Sequence, residues 1–548
     1  MPAEAAGGFG CRGVRMNYNA GQSQQILPIK AGNDKETPMG AQSYNAAVDM
    51  VDRNVAQGRG AKTAFIDPSR RLTYGELAQR VARVGAMLAK LGLQREDRVA
   101  MIMLDTVDFP ILFWGAIRAG IIPIPLNTLL PVEQFRYILE DSRAKALFIS
   151  PPFLKAAETA TAGLPLKTLV VVGDGPAQYP SFGKLLDAES AAAPANTSGD
   201  EVAFWLYSSG STGMPKGVRH VHTSPMATAK LYGQGVLGIT ESDVCFSAGK
   251  LYHAYGLGNG MSFPMSVGAT AVLLPDRPTP AAIFEVLRRE QPTLFFGAPT
   301  LYAMMLADPA CTAENGSRRL RWCVSAAEAL PEHVGVEWKK RFGVDILDGI
   351  GSTEMLHIFI SNQPGRLRYG TTGVAVRGYE LRIVDDKGAD VPDGELGELL
   401  VHGPTAAEGY WNQREKTRRT FEGEWTRTGD IYVRDGDGMY RYCGRNDDMF
   451  KTSGLWVSPF DVESALISHP AVLEAAVVAK QDGDGLLRPK AYITLKEGQA
   501  GDVEPLREAL KEHVKQQIGM WKYPRWIEIV DSLPKTATGK IQRFKLRE

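Results

Sequence analysis

From about residue 60 onward, short unbroken apolar runs alternate with longer stretches in which apolar residues recur every three or four positions. Ala64-Phe65-Ile66 reads as a short strand. Thr73 and Glu76, three residues apart, form a capping box. Leu77, Val81, Val84, Leu88 and Leu91 then follow at spacings of four and three, and Gly92 stops the helix. Residues 99–103, 146–149 and 169–172 are apolar runs bounded by turns, the pattern of strands covered on both faces. Leu294-Phe295-Phe296 followed by Gly-Ala-Pro-Thr repeats the strand-then-helix order, with Pro299 near the helix start. This alternation predicts an α/β body of parallel sheets covered by helices.

After about residue 375 the texture changes. Apolar segments at 381–384, 399–402 and 439–442 are separated by Asp/Gly turns, Asp385-Asp386-Lys387-Gly388 and Asp435-Gly436-Asp437-Gly438, which signal hairpins. Beyond Gly444 comes a unit of about a hundred residues, with a helix start at Ser458-Pro459, strands at 475–479 and 491–495, and a Lys/Glu-rich helix over 503–517. The expected organisation is a large N-terminal domain over 43–446, layered α/β with a β-rich subdomain, and a small mobile α+β domain over 447–548. Residues 1–42 are rich in Gly, Ala, Gln and Asn; Arg12 and Arg15 lead into no hydrophobic stretch, so a disordered leader is expected rather than a targeting peptide.

Composition narrows the function. The 548 residues carry 62 basic and 62 acidic side chains, and 62 − 62 leaves no net charge, which argues against a nucleic-acid partner. No apolar run approaches the roughly 18 residues of a membrane span. The cysteines at 11, 245, 311, 323 and 443 have no Cys-x-x-Cys spacing, excluding a zinc ribbon and fitting a reducing, cytoplasmic setting. His220-x-His222 has no third ligand at a metal spacing and reads as ordinary loop residues.

The sharpest chemical signal follows the apolar segment 202–206. It is Tyr207-Ser208-Ser209-Gly210-Ser211-Thr212-Gly213-Met214-Pro215-Lys216-Gly217-Val218. Glycines permit a tight turn, hydroxyls and amides can face inward, and Lys216 supplies a cation, which together suit a polyphosphate cradle. Lys216 is followed by Gly217 rather than Ser or Thr, so this is not a Walker A loop.

With later motifs in order, this segment resembles the adenylate-forming superfamily of acyl- and aryl-CoA synthetases, adenylation domains and luciferases. Those motifs are Asp348-Gly349-Ile350-Gly351-Ser352-Thr353-Glu354, Thr428-Gly429-Asp430, Gly444-Arg445-Asn446-Asp447-Asp448 through Lys451 and Gly454, and Pro534-Lys535-Thr536-Ala537-Thr538-Gly539-Lys540. The resemblance implies that a carboxylate attacks the α-phosphorus of ATP, so cations and aimed donors matter more than a strong base. It implies that Glu354 holds Mg²⁺, Thr353 donates to the α-phosphate, Asp430 takes the ribose hydroxyls beside Arg445, and Lys540 bridges carboxylate and phosphates. Ala327, Glu328, Asp348 and Gly349 fall with the nucleotide. Asp447 is the hinge about which the small domain rotates to bring the Gly454 loop to a thiol tunnel. Read alone, Asp430 could be a turn residue and Lys540 a solvated tail lysine.

Segments 250–259, 325–331 and 351–359 resemble the benzoate-CoA ligase branch, which implies a ring pocket of Ala254, Tyr255, Ala326, Gly351, His357 and Ile358. Small Ala and Gly beside one aromatic and one branched wall suit a flat ring better than an alkyl chain. Two positions depart from that pattern: His253 stands where Phe is expected, and Ala327 where Gly is expected. His253 either reads a ring substituent or shields the thiol tunnel, and benzoate, hydroxybenzoate and aminobenzoate stay open. Asp105-Thr106-Val107-Asp108-Phe109-Pro110 looks more like hydroxybenzoate ligases. The expected activity is an ATP-dependent aryl-carboxylate–CoA ligase using Mg²⁺ and coenzyme A, as monomer or homodimer. The rivals are an aryl-AMP ligase charging a carrier-protein pantetheine, and a degenerate nucleotide-binding module. That module predicts loss of Lys216, Glu354, Asp430 and Lys540, all of which are present.

Overall fold

The computed structural model describes residues 43–208, 214–452, 455–483, 485–496, 498, 503–535 and 541–547. The expected leader, 1–42, lies outside them.

Apolar runs form the interior of the largest sheet. Its order is Val374–Ala375, Ile358–Ser361, Ile346–Gly351, Trp322–Ser325, Leu294–Gly297, Val244–Ser247, Thr270–Val272, Thr63–Ile66 and Arg71–Thr73. The strands from Ile346–Gly351 to Thr63–Ile66 run parallel, and antiparallel strands close both edges. A second, all-parallel sheet joins Ile122–Pro125, Arg98–Ile102, Ala146–Ile149 and Thr168–Val171. Ile122–Pro125 lies at its edge, where Pro123 and Pro125 need donate nothing outward. The helix Tyr74–Lys90 starts as expected: Thr73 accepts from Glu76 N–H, and Glu76 caps Thr73 in return. Its face of Leu77, Val81, Val84 and Leu88 is fully buried.

The β-rich part is a sheet of Glu380–Val384, Gly397–His402, Trp425–Arg434, Phe421–Glu422 and Tyr440–Arg445. The long strand Trp425–Arg434 is missing from the sequence-based reading because its polar Thr-Arg-Thr-Gly-Asp half gives no apolar run. It carries the Thr428-Gly429-Asp430 motif into the sheet. Further on, strands Val472–Gln481, Leu487–Leu495 and Trp526–Ile529 pack with helices Pro459–Ile467 and Val503–Ile518. They enclose a core of their own that includes Val462, Leu466, Val477, Ile493, Leu510 and Ile527. Ser458 caps the first of these helices, accepting from Asp461 N–H at 3.0 Å. Among the described residues no helix is long and apolar enough to cross a membrane.

Candidate active site

The described ends of the phosphate-cradle segment belong to two antiparallel strands. Val202–Ser208 pairs with Lys216–Val221, setting Ser208 opposite Lys216. Ser209, Gly210, Ser211 and Thr212 lie outside the described residues, and the buried Ser208 Oγ has no hydrogen-bond partner among those described. Residues 408–411 run alongside the second strand, with Arg219 N–H donating to Gly409 O and Trp411 N–H to Gly217 O. That register brings Tyr410 to Lys216. The Lys216 ammonium donates to Tyr410 OH at 2.7 Å and lies 2.9 Å from Glu354 Oε1. Burial raises the Glu354 carboxyl, but the Lys216 ammonium together with hydrogen bonds from Lys216, Tyr410 and the backbone holds the group below the usual carboxylate range. Glu354 is therefore ionised, a hard oxygen donor suited to magnesium. Thr353 precedes it in the turn after Ile346–Gly351, and Leu356 N–H donates back to Thr353 O at 3.2 Å.

Asp430 and Arg445 face each other across adjacent strands. Arg445 Nη1 donates to Asp430 Oδ1 at 2.9 Å and to Thr428 O at 3.0 Å, and the Asp430 charge raises the guanidinium pKa further. Asp430 is thus a sheet residue tied to Arg445, not an isolated turn. Glu328 accepts from Thr300 Oγ1 at 3.1 Å, and Ala327 before it has φ of 81°, a left-handed conformation that a Cβ disfavours. Asp348 is buried; Leu330 N–H reaches one of its oxygens at 3.4 Å, and burial pushes its carboxyl well up. Gly349 follows it in the same strand.

The proposed ring-pocket residues come together. Ala254, Ala326 and Ile358 belong to one buried cluster, with Tyr255 packed against it. The Tyr255 hydroxyl lies 3.1 Å from both the Gly297 and Val324 carbonyls, and its ring stacks on His357 at 5.7 Å. His357 is also enclosed by Tyr232 and Phe263. A Cβ at Gly258 would overlap the His357 ring, so that packing requires glycine. His357 Nε2 lies 3.3 Å from the Tyr255 carbonyl, which assigns it the proton and leaves the buried Nδ1 as an acceptor without a partner among the described residues. Burial lowers its pKa to about 3. Gly351 ends its strand against His357: a Cβ there would sit 2.5 Å from the His357 carbonyl oxygen. His253 precedes the helix Ala254–Leu257; its Nε2 is buried without a partner among the described residues, and burial lowers its pKa to about 4.

Asp447 lies exposed in the turn after Tyr440–Arg445, its carbonyl accepting from Arg547 Nη2 at 2.9 Å. Gly454 and Lys540 lie outside the described residues.

A family model described as AMP-binding enzyme matches residues 51–411, and one described as AMP-binding enzyme C-terminal domain matches 461–540. The chain belongs to the AMP-binding enzyme family. It is 59% identical over 514 residues to the 4-hydroxybenzoate–CoA/benzoate–CoA ligase of Rhodopseudomonas palustris, covering 93% of this chain and 95% of that one. The crystal structure of a benzoate CoA ligase from Burkholderia xenovorans LB400 superposes with a TM-score of 0.86 at 48% identity, covering 92% of this chain and 100% of that one. An anthranilate CoA ligase in complex with anthranoyl-AMP gives a TM-score of 0.88 at 43% identity, with 92% and 96% covered.

The sequence-based reading of this AMP-binding enzyme misplaced one buried side chain and passed over another. His220 is a fully buried strand residue rather than a loop residue; it stacks on Phe204 at 5.2 Å, lies behind Thr353 and Glu354, and burial lowers its pKa to about 4. His222 accepts from Ala46 N–H at 3.1 Å and anchors the start of the described chain. Only a strand assignment over 216–221 could have signalled that His220 points inward. The other omission is Tyr410, within Gly409-Tyr410-Trp411, which carries no charge and matches no phosphate motif.

Proposed function

We propose that this chain is an ATP-dependent aryl-carboxylate–CoA ligase acting on benzoate and its hydroxy- or amino-substituted analogues. The carboxylate oxygen attacks the α-phosphorus and pyrophosphate leaves; the coenzyme A sulfur then attacks the acyl carbon and AMP leaves. The observation that carries this reading is the joining of the Lys216–Glu354 ion pair with the buried stack of Tyr255 on His357. The relatives' names supply the substrate class.

Lys216 and Thr353 suit the phosphates, since aimed donors in a water-poor site stabilise developing charge best. Asp430, oriented by Arg445, offers its carboxylate to the ribose hydroxyls. Glu354 would hold magnesium, which when bound spreads phosphate charge. Lys540 serves adenylation, and rotation about Asp447 brings Gly454 to the thiol. Ala254, Ala326, Ile358 and the Gly351 backbone leave room for a flat ring. The Nδ1 of His357 and Nε2 of His253, without partners among the described residues, favour a ring bearing a hydroxyl or amino group, because buried polar atoms are costly to leave unmatched.

Pyrophosphate release with benzoate, 4-hydroxybenzoate, 2-aminobenzoate and octanoate, with and without coenzyme A, tests this. An aryl acid is expected to lead in kcat/KM, with aryl-CoA as product. Octanoate as the best substrate would end the aryl assignment. Pyrophosphate release without aryl-CoA would point to a carrier-bound thiol.

A further inference from the structure

Tyr410 stands at the centre of the phosphate site. Its hydroxyl accepts from Lys216 Nζ at 2.7 Å and donates to Glu354 Oε1 at 2.8 Å. Lys216 Nζ reaches the same oxygen at 2.9 Å and lies 4.1 Å from the centre of the Tyr410 ring. Both donors converge on Oε1.

The tyrosine is itself held firmly. It is 4% exposed, its N–H donates to Thr417 Oγ1 at 3.0 Å, and its ring packs on Phe421 and Val218. Thr420 Oγ1 stands 3.4 Å from its hydroxyl. A carboxylate on a flexible Glu stem, buried and paired only with a mobile lysine, would lose its orientation whenever that lysine moved. The phenol comes from a rigid ring and stays when the ammonium leaves.

We propose that Tyr410 is a positioning residue for adenylation: its hydroxyl holds Glu354 by Oε1 and leaves Oε2 to a divalent cation that enters with ATP, while accepting Lys216 until the phosphates draw that ammonium away. This rests on the ligase reading above. Hydrogen-bonded partners of a metal-binding carboxylate orient it, and losing one costs about 10–100-fold in metal affinity. Tyr410→Phe removes the hydroxyl and keeps the ring face beneath Lys216.

The test is titration of Mn²⁺ into the full chain saturated with ATP, with bound ion read by electron paramagnetic resonance, for wild type, Tyr410→Phe and Thr417→Val. Thr417→Val removes a hydrogen bond to the Tyr410 backbone and spares the hydroxyl, so it controls for loosened structure. Tyr410→Phe is expected to weaken Mn²⁺ binding by about 10–100-fold while leaving KM for the aryl acid unmoved, and Thr417→Val to bind Mn²⁺ as wild type does. Unchanged Mn²⁺ affinity in Tyr410→Phe overturns the proposal. So does an equal loss in both variants, or a Tyr410→Phe chain that is unfolded by circular dichroism, since the role would then be structural. A wild-type protein that takes up no Mn²⁺ with ATP would overturn the ligase reading instead.

Discussion

Ala327 is the residue at which backbone chemistry and site position conflict. Its φ of 81° places a Cβ in a region where left-handed conformations cost about 1–2 kcal/mol per residue. Glycine removes that strain but loses more entropy on folding, about 0.4–1 kcal/mol. Ala327→Gly is therefore expected to stabilise the protein by roughly 0.5–1 kcal/mol, read from urea denaturation midpoints. A lower midpoint would mean that the neighbouring Ala326 and Glu328 contacts, rather than the backbone, set the conformation. The glycine expected there from family resemblance has the same physical basis: the position needs positive φ.

Among elements, the pair Ile346–Gly351 and Ile358–Ser361 sets the surroundings of Gly351 and His357. The two strands run antiparallel with a register shift between Ile350 and Gly351, and that irregularity sets Gly351 against the His357 backbone. The sequence pattern suggests that a side chain at 351 would simply fill the pocket. The geometry sends it into a carbonyl that cannot yield without parting the strands. Gly351→Ala is thus expected to cost stability, at about the 1–3 kcal/mol typical of overpacking, and to lower kcat/KM for the aryl acid by displacing His357. Chemical unfolding decides it: a variant as stable as wild type but weaker for aryl acids would restore the pocket-filling explanation.

At the scale of the whole molecule, burial of imidazoles sets the acid response. His220, His222 and His253 have pKa values lowered to about 4, and His357 to about 3, each chiefly because burial disfavours the charged ring. Between the unfolded value of about 6.5 and these folded values, the unfolded chain binds more protons, so stability falls as pH falls. Asp105, raised to about 6 by burial, and Asp348, raised well above its usual range, act in the opposite sense, since the folded state takes up their protons first. Burial raises Asp141 as well, but it lowers His333 and His469, and hydrogen bonds and ion pairs hold the Asp67, Asp97 and Asp243 carboxyls below their usual range, so the melting temperature is expected to drop from pH 6.5 to pH 4. His222→Gln should flatten that drop, because it removes one titrating ring; a flat wild-type profile would contradict the burial of these imidazoles.

Local chemistry alone determined much of this protein. The capping box at Thr73, the apolar runs at 146–149 and 294–296 and the helix start at Ser458 all form as written, because caps, turns and apolar periodicity act over a few residues. The order of the parallel strands, the strand Trp425–Arg434 and the inward aim of His220 were not legible, since each depends on which distant segment lies alongside. At the site, charged residues in spaced motifs identified themselves by type: Lys216, Glu354, Asp430 and Arg445. Their pairing did not. Lys216 meets Glu354 directly, Tyr410 joins the pair because residues 408–411 run beside the hairpin, and Asp430 meets Arg445 across the strand register. A motif carries chemical capacity along the chain, whereas distance, burial and the resulting charge state exist only once strands far apart in sequence are packed together.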